Sequence, residues 1–266
     1  MSSETDPDEA PGENGKRLPP FAVLSDIHSN LTALRAALAD ATSRGIQHMV
    51  CLGDIIGYGP DPVECWRLIS RMCLIIVRGN HDQALGARDL ERFHPRAASA
   101  IEWTRRRILQ EPDGEHIIAS IVNLPRSARE GDCLFVHGSP AGPTMDYLLP
   151  SDSFDKRRMD MEFGHVPLYA FNGHTHIPGV IVRGMRFMPP EALQGSRYEL
   201  MGRQTIINVG SVGQPRDGNP RASYVTVEHG SVYFHRVEYD AESVCRRILD
   251  SDGLDPFLGQ RLLAGY

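Results

Sequence analysis

The residues able to do chemistry gather in five short polar clusters, Asp26-Ile27-His28, Gly53-Asp54, Gly79-Asn80-His81-Asp82, His137-Gly138 and Gly173-His174-Thr175-His176. Imidazole, carboxylate and the Asn carbonyl oxygen are all lone-pair donors. Asp26 and His28 are two residues apart, as are His174 and His176, and on extended backbone residues i and i+2 project to the same side. One metal ion can therefore take both members of each pair. A mixed oxygen and nitrogen set suits Mn, Fe, Zn, Co or Ni, and the lack of thiolates in the clusters argues against structural zinc. The expected chemistry is that of a catalytic metal site. A single Asp-x-His can as easily cap a turn or satisfy a core hydrogen bond, so the inference rests on five clusters sharing one placement.

That placement is the end of a buried strand. Phe21-Ala-Val-Leu leads into the first cluster, Met49-Val-Cys-Leu into the second, Leu74-Ile-Ile-Val into the third, Leu134-Phe-Val into the fourth and Tyr169-Ala-Phe into the fifth. Continuous apolar runs of this length suit strands covered on both faces. Between the first two, Asn30 can cap a helix with Leu31, Leu34, Ala37 and Leu38 on one face, and Gly45 can end it. Pro62 suits the first turn of a second helix reaching about Arg71. Strand, helix, strand, helix, strand is the parallel crossover pattern, whose ligands bind beyond the carboxyl ends of the strands. After His176 the expected strands are 180–183, 205–208, 223–228 and 232–237, the last two joined by a hairpin at His229-Gly230. Asp240 then caps a helix through Val244, Ile248 and Leu249.

Composition narrows the setting. With 41% hydrophobic and 23% charged residues, the 266-residue chain can bury a large core. A net charge of -6 disfavours sequence-independent binding to a nucleic-acid duplex, and the basic triple Arg105-Arg106-Arg107 is read as the solvated side of a helix. No apolar stretch approaches the roughly 18 residues of a membrane span. The acidic segment 1–17 reads as a flexible tail without the apolar stretch of a signal peptide, leaving 18–266 for the folded part. Five cysteines without a Cys-x-x-Cys pair indicate buried free thiols, Cys51 and Cys133 first among them, and hence a cytoplasmic location.

The five clusters together resemble the calcineurin-like metallophosphoesterases, and 53–62 and 208–218 are similar to small bacterial single-domain members. The resemblance covers about 18–239 and implies an α/β four-layer sandwich, two mixed β-sheets flanked by helices, in one domain. It implies two divalent metal ions, with manganese favoured. Asp26, His28, Asp54 and His176 would hold one ion, and Asp54, Asn80, His137 and His174 the other. Asp54 would bridge them, its negative oxygen offsetting the repulsion of two ions roughly 3.5 to 4 Å apart. A bridging hydroxide would attack the phosphorus in line.

The resemblance makes His81 the candidate proton donor to the leaving oxygen, or a cationic stabiliser, with Asp82 orienting its ring. Arg216, on a loop with Gly210, Ser211, Gly213 and Gln214, is a candidate phosphate contact, as is Arg78; a surface ion pair is the alternative for each. The implied activity is hydrolysis of a phosphodiester or related small phosphate ester or nucleotide. A protein Ser/Thr phosphatase is disfavoured, because Gly53-Asp54 continues Ile55-Ile56-Gly57 without the Arg typical of that group and the third cluster ends in Asp82. Hydrolysis of dinucleotide polyphosphates stays open. A catalytically silent scaffold of the same fold would have lost ligands or the proton donor, and here every one is kept.

Overall fold

The computed structural model describes residues 19–266, so the tail expected over 1–17 lies outside the described residues. The amino-terminal half runs β1 (Phe21–Leu24), α1 (Leu31–Ser43), β2 (His48–Cys51), α2 (Pro62–Met72), β3 (Ile75–Ile76), α3 (Asn80–Ala84), α4 (Pro95–Leu109), α5 (Gly114–Val122), β4 (Ser127–Glu130) and β5 (Cys133–Val136). It continues through α6 (Lys156–Phe163), β6 (Tyr169–Asn172), β7 (Gly179–Val182), β8 (Arg197–Glu199), β9 (Thr205–Asn208), β10 (Ala222–Glu228), β11 (Ser231–Val237), α7 (Ala241–Leu249) and α8 (Pro256–Ala264). Two mixed sheets result, ordered β3-β2-β1-β10-β11-β8 and β4-β5-β6-β9-β7.

Strand alternation explains the layers. Phe21 and Val23 face the second sheet and meet Phe135, Phe171 and Ile207, whereas Ala22 and Leu24 face away and pack with Leu34 and Val63 of α1 and α2. On the far side of the second sheet, Ala170 and Ile206 pack against Phe163 of α6. The order is helix, sheet, sheet, helix, which is why β1 is buried on both faces and reads as an unbroken apolar run.

The expected punctuation is present. Asn30 Oδ1 accepts the Ala33 N–H at 3.0 Å and caps α1, and Asp240 Oδ1 accepts the Ser243 N–H at 2.9 Å to cap α7. His229 and Gly230, both at positive φ, turn the β10–β11 hairpin between paired Glu228 and Ser231. The third strand is shorter than expected: only Ile75 and Ile76 pair with β2. It is an edge strand, and Leu74 at its start is 72% exposed. All five cysteines are buried free thiols. No helix of the described residues is long and apolar enough to cross a membrane.

Two parallel sets bring the clusters together. Strands β1, β2 and β3 are mutually parallel, as are β5, β6 and β9, so the loops leaving their carboxyl ends meet above the join of the two sheets.

Candidate metal centre

The loops carrying the clusters are held in unusual backbone. Asp26, His28, Asp54, His174 and His176 all have φ between 47° and 66°, the left-handed region that side chains with a Cβ avoid. Each such residue costs of order 1–3 kcal/mol and persists only where its surroundings fix it. Here the loops fix one another: the Asp26 N–H donates to the Gly53 carbonyl at 3.0 Å and the His28 N–H to the Asp54 carbonyl at 2.9 Å. Two glycines permit the close approach. A Cβ on Gly79 would meet the Asp54 backbone and carboxylate, and one on Gly173 would meet the Asp26 carboxylate.

Four buried imidazoles share one arrangement. His28 Nδ1 lies 3.3 Å from the Ile56 carbonyl, His137 Nδ1 3.1 Å from that of Leu52, and His174 Nε2 3.3 Å from that of Met145. His176 Nδ1 faces the Gln214 carbonyl. A carbonyl only accepts, so each of these nitrogens carries the proton and the other nitrogen of each ring presents a lone pair. Those lone pairs converge. His28 Nε2 and His176 Nε2 are 3.2 Å apart beside Asp26, whose Oδ1 lies 3.1 Å from His176 Nε2. His137 Nε2 is 3.0 Å from both His174 Nδ1 and Asn80 Oδ1. Asp54 Oδ2 stands between the two groups, 3.6 Å from His28 Nε2 and 3.4 Å from His137 Nε2.

Acceptors pointed at acceptors in a dry interior need a cation. Asp26 Oδ1 is buried and accepts no hydrogen bond, which in a folded interior is costly. Its other oxygen accepts the His174 N–H at 2.9 Å. Burial opposes charge on Asp54, but His137 and then His81 hold its carboxyl well below the usual range. Burial likewise opposes charge on His137, and Asp54 and Asp26 overcome it, lifting its pKa to about 9, so a proton takes the cation's place on His137 Nε2 until a metal ion displaces it. Burial, then His137, push His174 down to about 3. The residues fit two divalent ions: Asp26, His28 and His176 gather at one point, and Asp54, His137 and His174 at another, with ligand atoms in each group within 4.8 Å.

The remaining expected site residues divide. His81 is buried beside the cluster, its N–H donating to Asp54 Oδ1 at 2.8 Å and its ring edge-on to His28 at 5.0 Å. Its Nδ1 has no hydrogen-bond partner, and burial pulls its pKa down to about 4. Asp82 does not orient it. The Asp82 carboxylate instead accepts the N–H groups of Ile55, Ile56 and Gly79 at 3.0, 3.4 and 3.0 Å, pinning the Asp54 loop to the start of α3. Successive helical residues project about 100° apart, so Asp82 turns away from its neighbour's ring.

The surface ion pair offered as the alternative for Arg78 is not formed. Its guanidinium donates to the Val122 carbonyl at the end of α5, and among the described residues it has no ion-pair partner. The carbonyl-rich carboxyl end of a helix attracts a cation there. Arg105, expected to be solvated, donates to the Ala84, Leu85 and Ala87 carbonyls, each at 2.9 Å, and closes the end of α3. Arg216 does reach the rim: its Nη2 donates to Gln214 Oε1 at 2.8 Å, and its guanidinium lies 6.0 Å from the Tyr58 ring centre. Its Nε is buried without a partner. Tyr58, Tyr147 and the four carbonyls that hold the imidazoles escaped the sequence reading, because backbone carbonyls carry no residue signal and the two tyrosines lie in irregular loops.

Comparison with known proteins agrees with this geometry. The family profile described as "Calcineurin-like phosphoesterase superfamily domain" matches residues 20–231. An uncharacterized protein of Methanocaldococcus jannaschii is 36% identical over 249 residues, covering 92% of this chain and 98% of its own. The crystal structure of a metallophosphoesterase from Sphaerobacter thermophilus is similar at 35% identity and a TM-score of 0.79, covering 93% of this chain and 100% of that one. A hypothetical protein from Pyrococcus horikoshii shares the fold at 22% identity and a TM-score of 0.71, over 93% of this chain and 98% of its own. The chain belongs to the calcineurin-like phosphoesterase superfamily, whose members use a dinuclear metal centre, and it is a metal-dependent phosphoric ester hydrolase.

Proposed function

We propose that this hydrolase acts on phosphodiesters of small molecules or nucleotides. Asp26, His28, Asp54 and His176 would hold one ion and Asp54, Asn80, His137 and His174 the other, with manganese suited to this oxygen and nitrogen set. The observation that carries the reading is the convergence of four imidazole lone pairs on Asp26 and Asp54, with the Asp54 carboxylate between the two groups.

When bound, the ions supply a water nucleophile of lowered pKa and draw charge from the phosphoryl oxygens. The chain's own residues do the rest. Asp54 would be shared between the two ions, and the carbonyls of Ile56, Leu52, Met145 and Gln214 orient each imidazole so that its other nitrogen faces inward. Arg216 contacts a non-bridging phosphoryl oxygen and binds the ester in both ground and transition states. His81 carries the proton to the leaving ester oxygen. Turnover of bis(p-nitrophenyl) phosphate against p-nitrophenyl phosphate, in manganese, tests the diester assignment. A strong preference for the monoester contradicts it.

A further inference from the structure

One residue beyond the ligand set lies directly on it. The Tyr147 ring stacks on the His174 imidazole with centres 3.8 Å apart and planes 22° from parallel. Two residues earlier the Met145 carbonyl holds His174 Nε2 at 3.3 Å, so one loop fixes this imidazole from the edge and covers its face. The loop is itself tied down. Arg158 Nη2 donates to the Tyr147 carbonyl at 3.2 Å and pairs with buried Glu162 at 2.9 Å, and Glu162 accepts the Ala141 N–H at 2.9 Å.

His174 is only 4% exposed, yet Tyr147 above it is 50% exposed. Its neighbours along the chain are open too: Met145, Leu149 and Phe154 are 39%, 42% and 66% exposed, so this segment presents apolar side chains to solvent where it passes the polar centre. Apolar surface beginning at a site of this kind marks where the organic part of a ligand rests. On the opposite side Tyr58 tilts over His28 at 4.7 Å and over His81 at 4.5 Å, below the Arg216 guanidinium.

We propose that the open part of the Tyr147 ring is the platform for a planar aromatic group carried by the ester, a nucleobase or an aryl ring, and that Tyr147 thereby sets substrate preference. The inference rests on the phosphodiesterase reading for the position of the phosphoryl group. Because the ring is already immobilised on His174, stacking a second ring on it costs little further side-chain entropy. Any flat π-face satisfies such a platform, so it selects for aromaticity rather than for one base.

The test measures binding by calorimetry in manganese, using inorganic phosphate, ribose 5-phosphate, phenyl phosphate and adenosine 5′-phosphate on wild type, Tyr147→Phe and Tyr147→Ala. Wild type is expected to bind adenosine 5′-phosphate about tenfold or more tighter than ribose 5-phosphate, the size of one ring-on-base stack. Tyr147→Phe keeps this ratio and Tyr147→Ala abolishes it, with phosphate affinity and metal content unchanged. A gain for phenyl phosphate equal to that for the nucleotide identifies the group as any aryl ring; a gain for the nucleotide alone identifies a nucleobase. Equal affinity for nucleotide and ribose phosphate in wild type overturns the platform. So does a uniform loss for all four ligands in Tyr147→Ala, which would make the tyrosine a mere support for His174. Neither result touches the phosphodiesterase reading, which stands or falls on diester turnover.

Discussion

The Nε2 atoms of His28 and His176 lie 3.2 Å apart, each on a ring whose Nδ1 faces a backbone carbonyl, from Ile56 and Gln214 respectively. Two lone pairs at that distance repel. The loops nevertheless hold them there with both residues in left-handed backbone, so the strain and the repulsion are the cost of a cavity shaped for a cation. His137 Nε2 and His174 Nδ1 stand as close, at 3.0 Å, and there the Asp54 and Asp26 carboxylates favour a cation on His137.

Asp54→Asn is the direct probe of the shared ligand. It keeps the shape and removes the negative charge between the two groups, so metal content by elemental analysis should fall below two ions per chain. Activity should drop by roughly a hundredfold or more, the scale of one lost electrostatic stabiliser. Retention of both ions would show that the bridge is made by some other group.

His81 and Asp82 should separate, although they are adjacent. His81→Ala is expected to keep both ions and slow turnover by roughly a hundredfold or more. Asp82→Ala leaves three backbone N–H groups without their acceptor, at about 1–3 kcal/mol for each one left unsatisfied, so its main effect is a lowered melting temperature. A kinetic defect in Asp82→Ala at unchanged melting temperature would return Asp82 to the role of orienting His81.

The clusters were legible because each ligand follows a short apolar run, and all of these runs but the edge strand β3 are largely buried. What stayed hidden lacked that contrast. The edge strand β4 reads Ser-Ala-Arg-Glu and is mostly exposed, β8 buries only Tyr198, and the apolar residues of α6 are too few to mark a face before Phe163 meets the second sheet. The residues around His81 were read by their neighbours in sequence, whereas Asp82 and Arg78 follow the direction of α3 and the end of α5. Arg105 was judged by its charged neighbours, although α4 turns it alone toward open carbonyls. The loop carrying Tyr147 gains meaning only when its ring meets a histidine 27 residues later.

Arg216→Ala should raise KM by about tenfold with metal content and melting temperature near wild type, since a guanidinium on a non-bridging oxygen binds ground and transition states alike. Arg216→Lys should recover part of the loss, as an ammonium supplies charge without the two-pronged donor geometry. Unchanged kinetics with every ester tried would make Arg216 a partner of Gln214 only.

Away from the centre, His235 should make stability fall in acid. Its ring stacks on Tyr224 at 4.8 Å, its Nε2 lies 2.8 Å from Thr226 Oγ1, and the Arg44–Asp40 pair of α1 faces it. Burial, then Arg44, lower its pKa from 6.5 to about 4. Between those values the unfolded chain holds a proton that the native state does not, so this contribution is whole above pH 6.5 and is lost progressively toward pH 4. Chemical denaturation across that range should show a shallower decline for His235→Gln than for wild type. Parallel curves would mean that His235 takes its proton without leaving the fold.

As proposed, the five clusters would hold two ions through one shared carboxylate. Elemental analysis of the purified chain, saturated with manganese and freed of loose metal, tests it most directly when paired with the activity at each loading. The account predicts two ions per chain, with turnover rising only as the second is bound. Full activity at one ion per chain would contradict it.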